Sequence, residues 1–289
     1  MLSVTLFYVA LVSWVLYAFW AWRTRRWVSF FVFGLVFTVV LNSRYILEGM
    51  DGGIGFFTGI FDVPAHIGVS PEAPGETLTT CANNDCSVLT QYETHPSWAV
   101  AFHERFVGND GRAALLIGHL SFNTIALILA TLQIWRPGGQ FRSHKTLGKV
   151  CLASFVLSMI CAGTLNSELH AVESYGHWWT MLGLYFLGLT VLVPGFLGIR
   201  AIRNADSEIH RVWMWRFTGA LWGSYWIFRA EMLLVDLLVK DTEGWTLAFP
   251  AWTSGLIGIA MAEFIRRKLD SRQVSAATPP ESASAQLAK

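Results

Sequence analysis

Seven stretches of this chain are each long and apolar enough to cross a membrane, and no other feature restricts the fold so strongly. They run over Leu2–Trp22, Trp27–Leu47, Ala113–Trp135, Leu147–Leu165, Trp178–Gly198, Val212–Val239 and Thr246–Ile265. A hydrocarbon core takes about 20 apolar residues as a helix, and a helix satisfies its own backbone where water cannot. The ten-residue alternation of membrane strands is not seen. The expected fold class is all-α, a polytopic membrane protein of seven transmembrane helices. Composition agrees: 14% of the 289 residues are charged, against about 25% in soluble domains. The 14 Trp and 20 Phe suit aromatic belts at two interfaces.

The charges between the runs predict an orientation. Arg23, Arg25 and Arg26 follow the first run, Arg136, Arg142, Lys145 and Lys149 the third, and Arg200, Arg203, Arg211 and Arg216 the fifth. Arg266, Arg267 and Lys268 follow the seventh. The alternate connections carry acids such as Asp51, Glu72, Asp85 and Glu243. The positive-inside rule then reads N-out and C-in, with the first run a retained anchor rather than a cleaved signal. The net charge of +1 and the lack of a large basic cluster set nucleic-acid binding aside.

The chain divides into two N-terminal helices (1–48), an extracytoplasmic loop (49–112), a four-helix core (113–239), a seventh helix (240–270) and a disordered cytoplasmic tail (271–289). In the loop, Gly52, Gly53, Gly55, Pro64, Pro71 and Pro74 predict irregular coil. Ser97–Phe106 predicts a short amphipathic surface helix, with Trp98, Phe102 and Phe106 on one face. Cys81 and Cys86 are a disulfide candidate there, whereas Cys151 and Cys161 read as packed small hydrophobes.

The four core runs each carry a histidine at or near the N-terminal end: His119, His144, His177 and His210. Successive membrane helices alternate direction, so His119 and His177 fall toward one face and His144 and His210 toward the other. Two stacked imidazole pairs are a way to hold two haems b by bis-histidine ligation. The same residues also read as interfacial side chains, each alone at a helix end.

Ionisable groups inside a span are costly and mark function by default. Arg229, Glu231 and Asp236 lie in the sixth run, Arg229 and Asp236 on one face and Glu231 on another. Arg229 with Arg44 suits haem propionates or an anionic substrate; an ion pair that fixes helix packing is the equal alternative. His66, His95, His103 and His170 gather toward the outer side without a metal-binding spacing, although His170 lies close enough to replace His177 as a ligand. Leu41-Asn42-Ser43 and Leu165-Asn166-Ser167 echo one another and read as polar helix ends.

The runs Gly118-His119, Arg142-Ser143-His144-Lys145-Thr146-Leu147-Gly148 and His210-Arg211-Val212-Trp213-Met214-Trp215-Arg216 resemble the predicted bacterial membrane proteins of the domain-of-unknown-function 2306 family. That resemblance implies the cell inner (plasma) membrane and carries over no activity. More distantly the core is similar to the cytochrome b-561 superfamily, which implies His119 with His177 and His144 with His210 as haem pairs. It also implies electron transfer between a small donor or quinol and an acceptor across the membrane, as a membrane oxidoreductase. The three extra helices and the long loop depart from that superfamily. Two other readings stand beside it. One is a small-solute or ion carrier using Arg229, Glu231 and Asp236, with Pro194-Gly195 as a helix break. The other is a non-catalytic assembly or sensory protein.

Overall fold

The computed structural model describes residues 2–24, 26–66, 106, 108–134, 143–168, 178–238 and 245–277. Every regular element among them is helical. In chain order these are α1 (Leu2–Thr24), α2 (Trp27–Leu47), α3 (Gly49–His66), α4 (Asp110–Ile134), α5 (His144–Glu168) and α6 (Trp178–Arg203). Then come α7 (Ser207–Trp222), a π-helical turn (Gly223–Ile227), α8 (Phe228–Leu238) and α9 (Trp245–Ala277). Six helices among the described residues, α1, α2, α4, α5, α6 and α9, are long and apolar enough to cross a membrane. The expected crossing Val212–Val239 is not one regular helix. The π turn, closed by the Phe228 N–H on the Gly223 carbonyl, divides it.

The divided helix packs chiefly against α6 and α9. Where α7 meets α9 the backbones touch: a methyl on Gly258 would run into the Gly219 carbonyl, and one on Gly223 into the carbonyl of Ser254. Small residues four apart on both helices allow this approach, which lipid-embedded helices use in place of hydrophobic attraction. On its other side the same helix presents three aromatic donors in succession. The Trp222 indole donates to Thr131 on α4 (2.9 Å), the Tyr225 hydroxyl to Asn42 on α2 (2.8 Å) and the Trp226 indole to Thr38 on α2 (3.0 Å). Buried polar groups need partners, so this ladder sets the rotation of the helix against α2 and α4. Trp14 of α1 closes the stack, its ring 4.5 Å from that of Trp226.

Three expectations are corrected. Residues 49–66 form α3, not irregular coil. Gly49 makes the break after α2 at φ +75, but Gly53 lies against the Tyr45 ring, where its small size brings α3 onto α2. Ile54 and Ile60 are buried there. The C-terminal helix does not end near 270: α9 continues to Ala277, supported beyond the apolar run by Arg266 pairing with Glu263 and Asp270 at 2.7 and 2.6 Å. Pro194-Gly195 does not break α6, which runs through Pro194, and Gly195 lies beneath the Phe217 ring of α7.

Candidate functional site

A tight turn sets the geometry at one end of the bundle. Ala205 takes a left-handed φ of 59, and Asp206 caps α7 by accepting the Ile209 N–H at 2.9 Å. The chain thus reverses in a few residues, and His210 in the first turns of α7 faces Gly198 on α6. A carbonyl only accepts, so the 2.8 Å contact of His210 Nδ1 with the Gly198 oxygen places the proton on Nδ1 and leaves Nε2 its lone pair. His144, the first residue of α5, brings its ring to 6.4 Å from that of His210, the planes at 89°. The two sequence-paired histidines are therefore neighbours. Around them Asp270 pairs with Arg211 and Arg266, and Glu263 with Arg216, Arg266 and Arg267.

His119 lies elsewhere. It packs beside Ser158, which is 14 residues along α5 from His144, or about 21 Å at the helical rise of 1.5 Å per residue. Its Nδ1 sits 3.2 Å from the Ser158 carbonyl, while the Ser158 hydroxyl donates back to the His119 carbonyl at 3.1 Å. The Ser158 hydroxyl also lies 2.9 Å from Nδ1, so two proton placements fit: Nδ1–H facing the Ser158 oxygens, or an unprotonated Nδ1 accepting the hydroxyl with the proton on Nε2. The His119 ring is on the wall of a cavity of about 290 Å³ between α4, α5, α6 and α8. α4 and α6 do not meet closely across it, and that gap is the cavity.

Arg229, on the first turn of α8, also lines this cavity. Its guanidinium donates to the Tyr225 carbonyl at 2.8 Å and lies 3.8 Å from the Tyr225 ring centre. Among the described residues no carboxylate pairs with it. Glu231 is turned away and accepts the Thr253 hydroxyl of α9 at 2.9 Å. Asp236 falls on α8 with its side chain outside the described residues. The three intramembrane charges of the carrier reading do not all meet at one place, since Glu231 leaves the cavity. Arg44 pairs with Glu48 at 3.5 Å and lies over Phe56 rather than on the cavity wall. His177, Cys81 and Cys86 are outside the described residues, as are His95, His103, His170 and Ser97–Ala101. Cys151 is buried with its thiol on the Ala126 carbonyl at 3.4 Å, the packed role expected of it.

Sequence reasoning passed over the most telling cavity residue. Asn166 is only 7% exposed and its amide N–H donates to the Met181 carbonyl at 3.2 Å, yet among the described residues its side-chain oxygen has no hydrogen-bond partner. The signal was the Leu-Asn-Ser echo: Asn42 and Asn166 are both buried, each linking two helices, rather than polar residues at an interface.

Among the described residues no group of three or more His, Cys, Asp or Glu converges as on a metal ion. A family model described as "Predicted membrane protein (DUF2306)" matches residues 116–266, just over half of the chain. No curated protein matches. No solved structure matches either.

Proposed function

We propose that this chain, which belongs to the DUF2306 family of predicted membrane proteins, carries electrons within the membrane through haem held by His144 and His210. The observation that carries the reading is the 6.4 Å separation of their rings. Two imidazoles on one metal, with metal–nitrogen bonds of about 2 Å, place their ring centres about 6 Å apart. The Gly198 carbonyl orients His210 as the outer partner of a metal-bound histidine does, fixing the tautomer and turning Nε2 outward. Lys145 and Lys149 on the first turns of α5 supply positive charge at the same end, suited to propionates. A haem there would supply a one-electron couple, tuned by this ligation and by the surrounding charge.

One haem per chain is proposed rather than two. The cavity that His119 faces, at about 290 Å³, is roughly twice the ~150 Å³ that admits a benzene. That is room for one substituted ring and not for a four-pyrrole macrocycle. The electron source in this reading is a small donor or a quinol.

The test is a dithionite-reduced minus oxidised spectrum of the detergent-purified protein from haem-replete cells. The expected result is one b-type haem per chain, lost in His144→Ala and in His210→Ala and kept in His119→Ala. A colourless wild-type preparation would remove the reading. Two haems per chain, one of them lost in His119→Ala, would restore the pairing of His119 with His177.

A further inference from the structure

We infer that the cavity beside His119 is a binding site for an alkylphenol-class ligand: a single aromatic ring bearing a hydroxyl, with a short apolar tail. The wall decides the body of the ligand. Tyr45, Phe57, Phe106, Phe155, Tyr185 and Phe228 line the space, with leucines and Met159 between them and the polar groups taken up next. Aromatic faces and a thioether favour a flat ring over a branched chain. The volume of about 290 Å³ exceeds what benzene needs by about a factor of two, which leaves room for a tail of a few carbons.

The polar groups decide the head. Asn166 lines the cavity, and among the described residues its buried side-chain oxygen has no donor; the His119 ring lies on the same wall. Donors share the wall: the Arg229 guanidinium, whose other contacts among the described residues are the Tyr225 carbonyl and two aromatic rings, with the hydroxyls of Tyr45 and Tyr185 and the amide of Asn123. A carboxylate head only accepts, so it would satisfy Arg229 and give the Asn166 oxygen no proton. A hydroxyl satisfies both kinds at once, donating to Asn166 and accepting from Arg229. A buried acceptor left unpaired is costly, so a protic head is favoured over a purely apolar one. The site does not depend on haem at His144 and His210, which are about 21 Å away along α5.

Gly163 provides the control. It lines the cavity, and a methyl built on it meets nothing within 4 Å, so a larger side chain there enters open space. The experiment is isothermal titration of the full chain in detergent, against protein-free micelles, with 4-butylphenol and its methyl ether 4-butylanisole. The phenol should bind at least tenfold more tightly than the ether. Asn166→Leu should bring the phenol down to the level of the ether, and Gly163→Leu should weaken both at least tenfold. Should one variant fail to give a monodisperse protein, the other and the phenol–ether comparison on the wild type decide. Equal binding of phenol and ether, or binding unchanged in the variants, overturns the inference. So does a second haem lost in His119→Ala. The haem spectrum of the same samples reads the separate proposal at the other end, so either can fail alone.

Discussion

His119 and His210 each place Nδ1 against a neighbouring helix, on the hydroxyl and carbonyl of Ser158 for one and on the carbonyl of Gly198 for the other. The surroundings differ. Beside His210 is a second imidazole, at the chain reversal between α6 and α7, among interlocked arginines and carboxylates. Beside His119 are aromatic rings, one guanidinium and an unpaired amide oxygen. An imidazole pinned to the next helix through Nδ1 thus occurs twice in the fold, and its surroundings set what each can do. Under the two proposals, the ring that faces another imidazole is half of a ligand pair, and the ring beside the apolar cavity lines a guest site.

The largest expected effect breaks the comparison outright. His210→Ala should abolish the haem spectrum while leaving phenol binding within a factor of two, and Gly163→Leu should do the reverse. Loss of both signals in either variant would mean the two ends are one site.

The next effect falls on both ends together. Gly219→Leu forces a side chain into the Gly258 backbone across the α7–α9 contact, an overpacking that costs about 1–3 kcal/mol or more. Thermal unfolding in detergent should show a lower midpoint, with haem and phenol signals falling in parallel. A midpoint equal to that of the wild type would show that the helices do not touch there.

Two substitutions of intermediate size separate the ends again. Tyr225→Phe leaves the Asn42 oxygen without its donor next to the cavity, costing about 1–3 kcal/mol. Its loss should not change with salt. Glu263→Gln loosens the tie between α7 and α9 beside His210. Glu263 is partly exposed, so the cost should be about 1–2 kcal/mol and should shrink as salt is raised. Unfolding midpoints at low and high salt check both, and a salt-dependent Tyr225→Phe would contradict the burial of that bond. The smallest effect is Ala205→Gly, which relieves the left-handed residue at the α6–α7 reversal. It should stabilise by about 0.5–1 kcal/mol, and a lower unfolding midpoint would count against that turn.

Much of the site was legible in the residues. Alternating helix direction was enough to bring His144 to His210, and the two-residue offset along a helix was enough to point Glu231 away from Arg229. Glycine misled. In water it weakens a helix by about 1 kcal/mol, so Gly52, Gly53 and Gly55 predicted coil. Against Tyr45 the same smallness lets α3 pack, and α3 then contributes Phe57 to the cavity. The echo at Asn42 and Asn166 was visible, but the same letters suit a wet helix end and a buried inter-helix link. Only burial distinguishes them.

The amino-acid order by itself determined that this chain is helical, that it belongs in a bilayer, and where most of its helices run. Those properties follow from hydropathy and local backbone bonding, and both are short-range. The tertiary structure alone decided the π turn at Gly223–Ile227, the rotation of Tyr225 and Arg229 toward α2 and the cavity, and the unpaired oxygen of Asn166. These depend on which faces of distant helices meet. In lipid, small residues, aromatic donors and single hydrogen bonds choose those faces, and hydropathy is nearly blind to them.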